Sequence, residues 1–211
     1  MRIRSERPAA YLFDLDGTLV DSFRAIQASV NHVRGRHSLT PLPLDAVRAA
    51  VGRGLRILME LTIPVGDLDA NCGIFEHHHP GVIAEGTDVF PGVVETLQSL
   101  HASGAKLGVC SNKPFALTKE VLTATGLAPF FASVFGPERV SRPKPAPDML
   151  LAALEELGAT KHESLYVGDM TIDVETGRAA GVEVWVIPSG TQSREVLAAA
   201  SPQRILNDFA D

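Results

Sequence analysis

Two aspartates with one residue between them, Asp14 and Asp16, follow a short apolar run over residues 9–13. Side chains two positions apart in an extended chain point the same way, so both carboxylates are expected to face one spot. Carboxylates held together repel each other, and a hard divalent cation such as magnesium relieves that repulsion. Gly17 and Thr18 come next, and the glycine lets the backbone turn and approach a ligand closely. The pattern predicts a cation-assisted site at the end of the run.

A second apolar run, residues 107–110, ends in Ser111, Asn112 and Lys113. A hydroxyl, an amide and backbone N–H groups at the start of a helix form an anion site, which the helix dipole favours. Taken alone, Ser111 is more typical of an ordinary helix cap. Lys113 fits a solvated lysine as well as a substrate contact.

Three further residues carry charge. Lys144 lies between two prolines, which stiffen the backbone around one ammonium group. A third apolar run, residues 165–167, ends in Gly168 and Asp169, and Asp173 follows four residues later. The acids require a metal and the cationic groups require an anion, so a metal-bound phosphate satisfies both. Phosphoryl transfer needs little beyond positioning and charge neutralisation, which this set provides.

The elements that must position these residues alternate between strand and helix after residue 90. Strands are predicted over residues 9–13, 107–110, 134–135, 165–167 and 182–187, and helices from residue 93 and over 114–124, 148–157 and 174–180. This alternation predicts an α/β fold with a Rossmann-like parallel sheet, helices on both faces and ligands at the carboxyl ends of the strands. Residues 22–84 instead show apolar residues at helical spacing, which predicts an all-helical module inserted after the first strand.

Bulk composition narrows the function classes. The formal net charge is −6 and the pI is about 5.6, whereas proteins that bind nucleic-acid phosphates are usually basic. Cys72 and Cys110 form no CxxC pair, so a zinc or dithiol site has no support, and both are expected to be small buried groups. No apolar stretch approaches the roughly 20 residues that span a bilayer, which predicts a soluble cytoplasmic protein without a membrane partner. The sequence favours neither a monomer nor a homodimer.

Four motifs in order resemble those of the haloacid dehalogenase (HAD) superfamily. They are Asp14-Leu15-Asp16-Gly17-Thr18, Ser111, Lys144, and Gly168-Asp169 through Asp173. The resemblance covers essentially the whole chain, and the helical module resembles the small helical cap of that family. It implies a HAD-type catalytic core of residues 1–20 and 86–211 and a cap of residues 21–85. The chain crosses between these parts near Val20-Asp21-Ser22 and Glu85-Gly86-Thr87, where hinges are expected.

The resemblance implies a magnesium-dependent phosphatase with three catalytic side chains. Asp14 would be the nucleophile that attacks phosphorus to give an aspartyl phosphate. Asp16 would protonate the leaving oxygen and then activate the hydrolytic water. Lys144 would neutralise charge on the nucleophile and the phosphate. Asp14, the backbone carbonyl of Asp16 and Asp169 would hold Mg²⁺.

The remaining motif residues would surround the phosphoryl group. Ser111, Asn112 and Gly17 would bind it together with Lys144. Asp173 and Thr18 would orient the network from supporting positions.

Several short segments are most similar to the phosphoglycolate phosphatases of this superfamily. They are Val20-Asp21-Ser22, Gly52-Arg53-Gly54-Leu55, Phe90-Pro91-Gly92, Ser111-Asn112-Lys113 and Lys144-Pro145. The implied substrate is a small phosphate ester, with phosphoglycolate leading and sugar phosphates, a nucleotide or pyrophosphate open. Arg53 would bind the acid group of such a substrate, although an exposed helix charge is the usual case.

Two other functions remain alternatives. Sugar phosphomutases such as β-phosphoglucomutase share the first motif but usually carry a histidine where this chain has Ile26. A non-catalytic phosphate-binding module would keep the fold without turnover, but every motif residue is present. Dehalogenases lack the second aspartate, which is Asp16 here.

Three consecutive histidines, His77, His78 and His79, could suggest a metal site. Consecutive residues do not share one helix face, so a polar surface of the helical module is expected instead.

Overall fold

The computed structural model describes residues 8–209. The strands are β1 (Ala10–Phe13), β2 (Val20–Asp21), β3 (Asp88–Val89), β4 (Lys106–Cys110), β5 (Ser133–Phe135), β6 (Ser164–Gly168), β7 (Glu183–Val186) and β8 (Arg204–Ile205). The helices are α1 (Phe23–Arg36), α2 (Leu44–Arg48), α3 (Leu55–Thr62), α4 (Leu68–His78), α5 (Ile83–Gly86), α6 (Val93–Ala102), α7 (Phe115–Ala124), α8 (Asp148–Leu157), α9 (Thr171–Ala180) and α10 (Arg194–Ala199). Within these residues, no helix combines the length and apolar character needed to cross a bilayer.

Six strands form one parallel sheet in the order β5-β4-β1-β6-β7-β8, which confirms the predicted α/β fold. The sequence analysis missed β8 and α10 near the end of the chain. It also missed the antiparallel pair formed by β2 and β3, because strands of two residues carry no periodic pattern.

The central strands are buried on both faces, which explains their continuous apolar runs. Alternate residues of β1 face opposite layers. Leu12 belongs to the same buried cluster as Tyr166 and the inner faces of α8 and α9. Phe13 belongs to the cluster with Val109 and the inner faces of α6 and α7. The helices thus form two layers, which pack on opposite faces of the sheet.

Residues 23–86, here called the helical insert, lie between β2 and β3 and contain α1 to α5. The insert has its own apolar core, in which Ile26 and Val30 of α1 pack with Met59 and Phe75. At its far end, Gly86 is buried, and a Cβ there would lie 2.6 Å from the backbone nitrogen of Ala25. Close packing against α1 therefore requires a glycine here. The proposed hinge at this position stays a prediction.

The three consecutive histidines do not all lie on the surface of the helical insert. His77 is exposed, but His79 is fully buried, so the expectation of a polar surface is wrong for this residue. Its ring stacks on Phe75 with centroids 4.9 Å apart, and Nδ1 lies 3.0 Å from Oγ of Ser29. Burial, followed by the charge of Lys113, lowers the pKa of His79 to about 2. The ring of His79 points inward because of the turn that follows α4. Three adjacent histidines in the sequence do not indicate this orientation.

Both cysteines are buried and unpaired, as expected. Cys72 lies in the core of the helical insert and Cys110 at the end of β4. Burial raises the pKa of both thiols, which leaves them poor nucleophiles.

Candidate active site

The carboxyl ends of three neighbouring strands bring the predicted residues to one edge of the sheet. Phe13 of β1 pairs with Val109 of β4 and with Val167 of β6, so the strands end level with one another. Asp14 follows β1 directly, and its backbone N–H donates to the carbonyl of Val167 at 2.9 Å. Ser111 and Asp169 follow the other two strands. Because the sheet is parallel, the carboxyl ends of these strands lie at one edge, here called the rim, and the residues that follow them are neighbours.

Lys144 is fully enclosed in this rim, and its ammonium group has three oxygen neighbours. Nζ lies 3.0 Å from Oδ1 of Asp14, 2.8 Å from Oδ1 of Asp173 and 2.9 Å from Oη of Tyr166. Burial alone would lower the pKa of Lys144, but the charges of Asp14 and Asp173 outweigh it and raise the pKa above its ordinary value. Lys144 is therefore a permanent cation fixed beside Asp14.

Asp173 holds the network from behind. Its Oδ2 accepts hydrogen bonds from the backbone N–H groups of Asp169 and Met170, at 3.2 and 3.0 Å. Its Oδ1 accepts from both Lys144 and Tyr166. A Cβ at Gly168 would lie 2.3 Å from Cγ of Asp173, so the preceding backbone must be glycine. Both oxygens of Asp173 are engaged, which matches a supporting position.

Asp14 and Asp169 carry the less satisfied carboxylates. Burial raises the pKa of Asp14 to about 6, with Lys144 opposing and Asp173 adding to the shift. Burial and the charges of Asp173 and Asp14 raise the pKa of Asp169 well above its usual range. Oδ1 of Asp169 accepts from Oγ1 of Thr18 at 2.8 Å, while its Oδ2 is buried without a hydrogen-bond partner. The site therefore has an excess of buried negative charge.

This excess fits a hard divalent cation. Carboxylate oxygens of Asp14, Asp169 and Asp173 lie within 4.8 Å of one another. Since Asp173 is already saturated, Asp14 and Asp169 have the oxygens that remain for an ion, and oxygen ligands are those that magnesium prefers.

Two glycines, Gly17 and Gly190, lie against the carboxylate of Asp169, where a side chain would not fit. Gly17 has φ of +88°, and a Cβ there would lie 2.4 Å from Oδ2 of Asp169. A Cβ on Gly190 would lie 1.7 Å from the same atom. Oγ of Ser189 donates to the carbonyl of Gly17 at 2.6 Å and joins the two segments. Ser189 and Gly190 were not predicted as site residues. They follow shortly after β7, so the expectation that ligands bind at the carboxyl ends of strands would have included them.

The carboxylate of Asp16 has partners of its own. It does not join Asp14 and Asp169 but accepts from Oγ of Ser22 at 2.5 Å and from Nζ of Lys113 at 3.1 Å. The two carboxylates thus have different partners, Lys144 for Asp14 and Lys113 for Asp16. Both side chains still line the same cavity.

Lys113 is not a solvated lysine. The residue is only 8% exposed, and its ammonium group is in direct contact with the carboxylate of Asp16 at 3.1 Å. The alternative of a surface lysine, which the sequence left open, is wrong.

Ser111 and Asn112 are buried beside the cavity. The amide of Asn112 is engaged with the backbone of Lys144, through Oδ1 and Nδ2 at 3.1 Å each, and with the carbonyl of Gly52 at 3.2 Å. Its side chain thus fixes the Lys144 loop and ties the rim to the helical insert, which leaves only its backbone free for an anion.

The cavity has a volume of about 50 Å³ and opens between the rim and the helical insert. The insert contributes an apolar wall formed by Ile26, Val51, Leu55, Leu58 and Phe75. Arg53 is exposed and lies outside this cavity, in a neighbouring groove together with Arg56. Of the other predicted site residues, Asn112 borders both this groove and the cavity.

Tyr166 is the remaining site residue that the sequence analysis missed. It lies in the middle of β6, where an aromatic side chain is typical of a core position, and it is fully buried. Only its hydroxyl group, which contacts Lys144 and Asp173, makes it part of the site.

Comparisons with known proteins agree with this geometry. Residues 11–187 match the family model described as haloacid dehalogenase-like hydrolase. The chain is 36% identical to a phosphoglycolate phosphatase of Rhodospirillum rubrum, over 96% of this chain and 88% of the relative. It is 34% identical to a phosphoglycolate phosphatase of Caulobacter vibrioides, with the same coverage. A solved structure from Haemophilus somnus 129PT, described as a predicted phosphoglycolate phosphatase, has a TM-score of 0.92 at 26% identity and covers 98% of this chain and 97% of its own.

Proposed function

This chain belongs to the haloacid dehalogenase-like hydrolase family, and on that premise we propose that it is a magnesium-dependent phosphatase acting on phosphoglycolate through an aspartyl phosphate. The phosphatase class follows from three relatives of 32–36% identity along most of the chain, each of which is named phosphoglycolate phosphatase. The observation that carries the mechanism is the fixed Lys144 ammonium, 3.0 Å from a carboxylate oxygen of Asp14.

In the first step, a carboxylate oxygen of Asp14 attacks phosphorus while the bond from phosphorus to the leaving oxygen breaks. Asp16 supplies the proton that the leaving oxygen takes up. Lys144 offsets the charge that Asp14 and the phosphoryl oxygens share. Ser111, with backbone N–H groups near the start of α7, binds the phosphoryl oxygens.

In the second step, water attacks the phosphorus of the aspartyl phosphate, and Asp16 takes a proton from that water. The bond from phosphorus to Asp14 breaks, which releases inorganic phosphate and restores the carboxylate. The buried position of Asp14 limits access of bulk water to the intermediate.

Asp14, the backbone carbonyl of Asp16 and Asp169 would hold the magnesium ion. When bound, the ion supplies positive charge that neutralises these carboxylates and the phosphoryl oxygens. The unpaired Oδ2 of Asp169 supports this assignment.

The helical insert acts as a cap in this proposal. The core would comprise residues 1–20 and 86–211 and the cap residues 21–85, with hinges near Val20-Asp21-Ser22 and Glu85-Gly86-Thr87. Pairing of β2 with β3 supports this division, since it joins the two crossings side by side. Closure of such a cap excludes water during the chemical step.

The test is release of inorganic phosphate from a panel of phosphorylated metabolites, with magnesium and with a chelator. Asp14→Asn should lower magnesium-dependent release by at least about four orders of magnitude, because the nucleophile is lost. Phosphoglycolate should give the highest kcat/KM in the panel.

Two outcomes would contradict the proposal. Transfer of phosphate between positions of a sugar, without net release, would indicate a phosphomutase. No turnover of any ester would indicate a binding module. Ile26, where many mutases carry a histidine, is an apolar wall residue here, which supports the phosphatase.

A further inference from the structure

Lys113 is a buried cation with a single counter-charge. Its side chain is 5% exposed, and Nζ lies 3.1 and 3.2 Å from the two carboxylate oxygens of Asp16. Within residues 8–209, Asp16 is the one carboxylate that pairs with it. His79 lies close enough for the charge of Lys113 to affect it, but its ring is neutral because its pKa is lowered to about 2. No second group therefore balances the ammonium.

This pair conflicts with the proposed reaction. Asp16 must deliver a proton to the leaving oxygen, yet both of its carboxylate oxygens are held by Lys113. If Asp16 turned toward the substrate, it would leave a buried ammonium group without a partner, which is strongly unfavourable. An incoming negative charge that replaced Asp16 would remove this cost.

The cavity that both residues line has room for such a charge on a very small molecule. Its volume of about 50 Å³ is well below the roughly 300–1,000 Å³ of ordinary ligand pockets. Among the described residues that line it, Lys113 is the one cationic side chain, and the helical insert contributes apolar groups. If the phosphate ester carries a carboxylate, Lys113 is therefore the cationic side chain with which that carboxylate can pair.

We propose that Lys113 binds the carboxylate of a short phosphorylated acid and that this contact releases Asp16 for proton transfer. The exchange itself changes no covalent bond, since the ammonium group replaces one carboxylate partner by another. The released carboxylate of Asp16 then takes up one proton from solvent, and this is the proton that it passes to the leaving oxygen. Lys113 thereby determines specificity and couples it to catalysis: an ester without the carboxylate leaves Asp16 paired. The inference rests on the proposed function and extends it to the substrate class, a two- or three-carbon phosphorylated carboxylic acid.

The experiment compares kcat/KM for phosphoglycolate with that for ethyl phosphate, which has the same chain length but no carboxylate. Wild type should favour phosphoglycolate by at least about a hundredfold, as expected when an unpaired buried polar group is the penalty. Lys113→Met keeps most of the side-chain volume and should reduce this preference at least tenfold. The loss should fall on phosphoglycolate, whereas hydrolysis of ethyl phosphate should rise severalfold, because the variant no longer pairs Asp16.

A second measurement uses the unaltered protein and so does not depend on folding of the variant. Formate, added with methyl phosphate, supplies the missing carboxylate as a separate molecule. It should raise methyl phosphate hydrolysis severalfold by wild type, relative to sodium chloride at equal ionic strength. If Lys113→Met fails to fold, absence of this activation overturns the inference.

Arg53→Ala is the matched control, since Arg53 is a cation of the neighbouring groove. If Arg53→Ala removes the preference and Lys113→Met keeps it, the carboxylate binds in the groove and the inference is wrong. It is also wrong if Lys113→Met slows both esters equally. These outcomes differ from failure of the proposed function, in which wild type releases phosphate from neither ester.

Discussion

At the rim of the sheet the buried polar side chains contact one another, whereas the helical insert faces the same cavity with apolar side chains. The ammonium of Lys144 has three oxygen neighbours, and both oxygens of Asp173 accept hydrogen bonds. The wall above them is formed by residues such as Leu55 and Phe75. A network of charges is sensitive to small displacements, while an apolar wall tolerates them. We therefore expect catalysis to depend on the rim, and selection of the substrate to depend on the few polar atoms that face the wall.

The largest expected difference between the regions concerns an added methyl group. Gly190→Ala would place Cβ 1.7 Å from Oδ2 of Asp169 and displace that carboxylate. We expect kcat/KM to fall at least about a hundredfold, since displacement of a positioning group by an ångström has such effects. Magnesium should raise the melting temperature of wild type and have little effect on the variant.

Gly35→Ala is the control within the helical insert. A Cβ on Gly35 meets nothing within 4 Å, so activity should be unchanged. The melting temperature should rise slightly, because alanine is the better helix former by about 0.5–1 kcal/mol. Equal damage from both substitutions would show that the two regions do not differ in tolerance.

A smaller effect is expected from removal of a single buried hydroxyl. Tyr166→Phe removes the hydroxyl group that accepts a hydrogen bond from Lys144 and donates one to Asp173. Hydrogen bonds to charged groups contribute about 1.5–3 kcal/mol, so kcat should fall roughly ten- to a hundredfold. KM should change less than about twofold, because Tyr166 does not line the cavity.

Ser29→Ala removes an equally buried hydroxyl from the insert, where Ser29 contacts His79. It should lower thermal stability without changing kcat. If Tyr166→Phe altered KM and stability but not kcat, Tyr166 would be an ordinary core residue.

The smallest expected effect concerns stability alone. His79 has a pKa of about 2 in the folded chain against an ordinary value of 6.5, so it takes up a proton on unfolding between these values. The free energy of unfolding should therefore decrease below pH 6.5, by up to about 1.4 kcal/mol per pH unit from this residue. His79→Phe keeps the ring shape and should flatten this dependence between pH 6.5 and 5, as measured by urea unfolding.

His77→Asn is the control, because that side chain is exposed to solvent before and after unfolding. It should leave the slope as in wild type. A wild-type slope in His79→Phe would mean that other groups cause the loss of stability in acid.

Part of the polar rim could be predicted from the sequence, because several of its residues directly follow a recognisable strand. Asp14, Ser111 and Asp169 come directly after apolar runs, and a parallel sheet brings such positions together. The runs themselves were placed within one or two residues of their observed bounds. The two-residue strands β2, β3 and β8 were missed because so few residues show no periodicity.

The contacts between distant segments of the chain could not be predicted in the same way. Asp16 pairs with Lys113, which is 97 positions away, and no local pattern connects the two. The inward turn that buries His79 and the hydroxyl that Tyr166 directs at Lys144 are likewise set by packing between distant elements.

The sequence by itself thus determined the strand ends and the chemistry they carry, since apolar runs and the glycines and prolines around them act locally. The tertiary structure alone decided which charges are paired, which are buried and which face the cavity. Burial and pairing depend on side chains that come together only when the sheet and the insert pack, and those contacts place Lys113 opposite Asp16 and Arg53 in the outer groove.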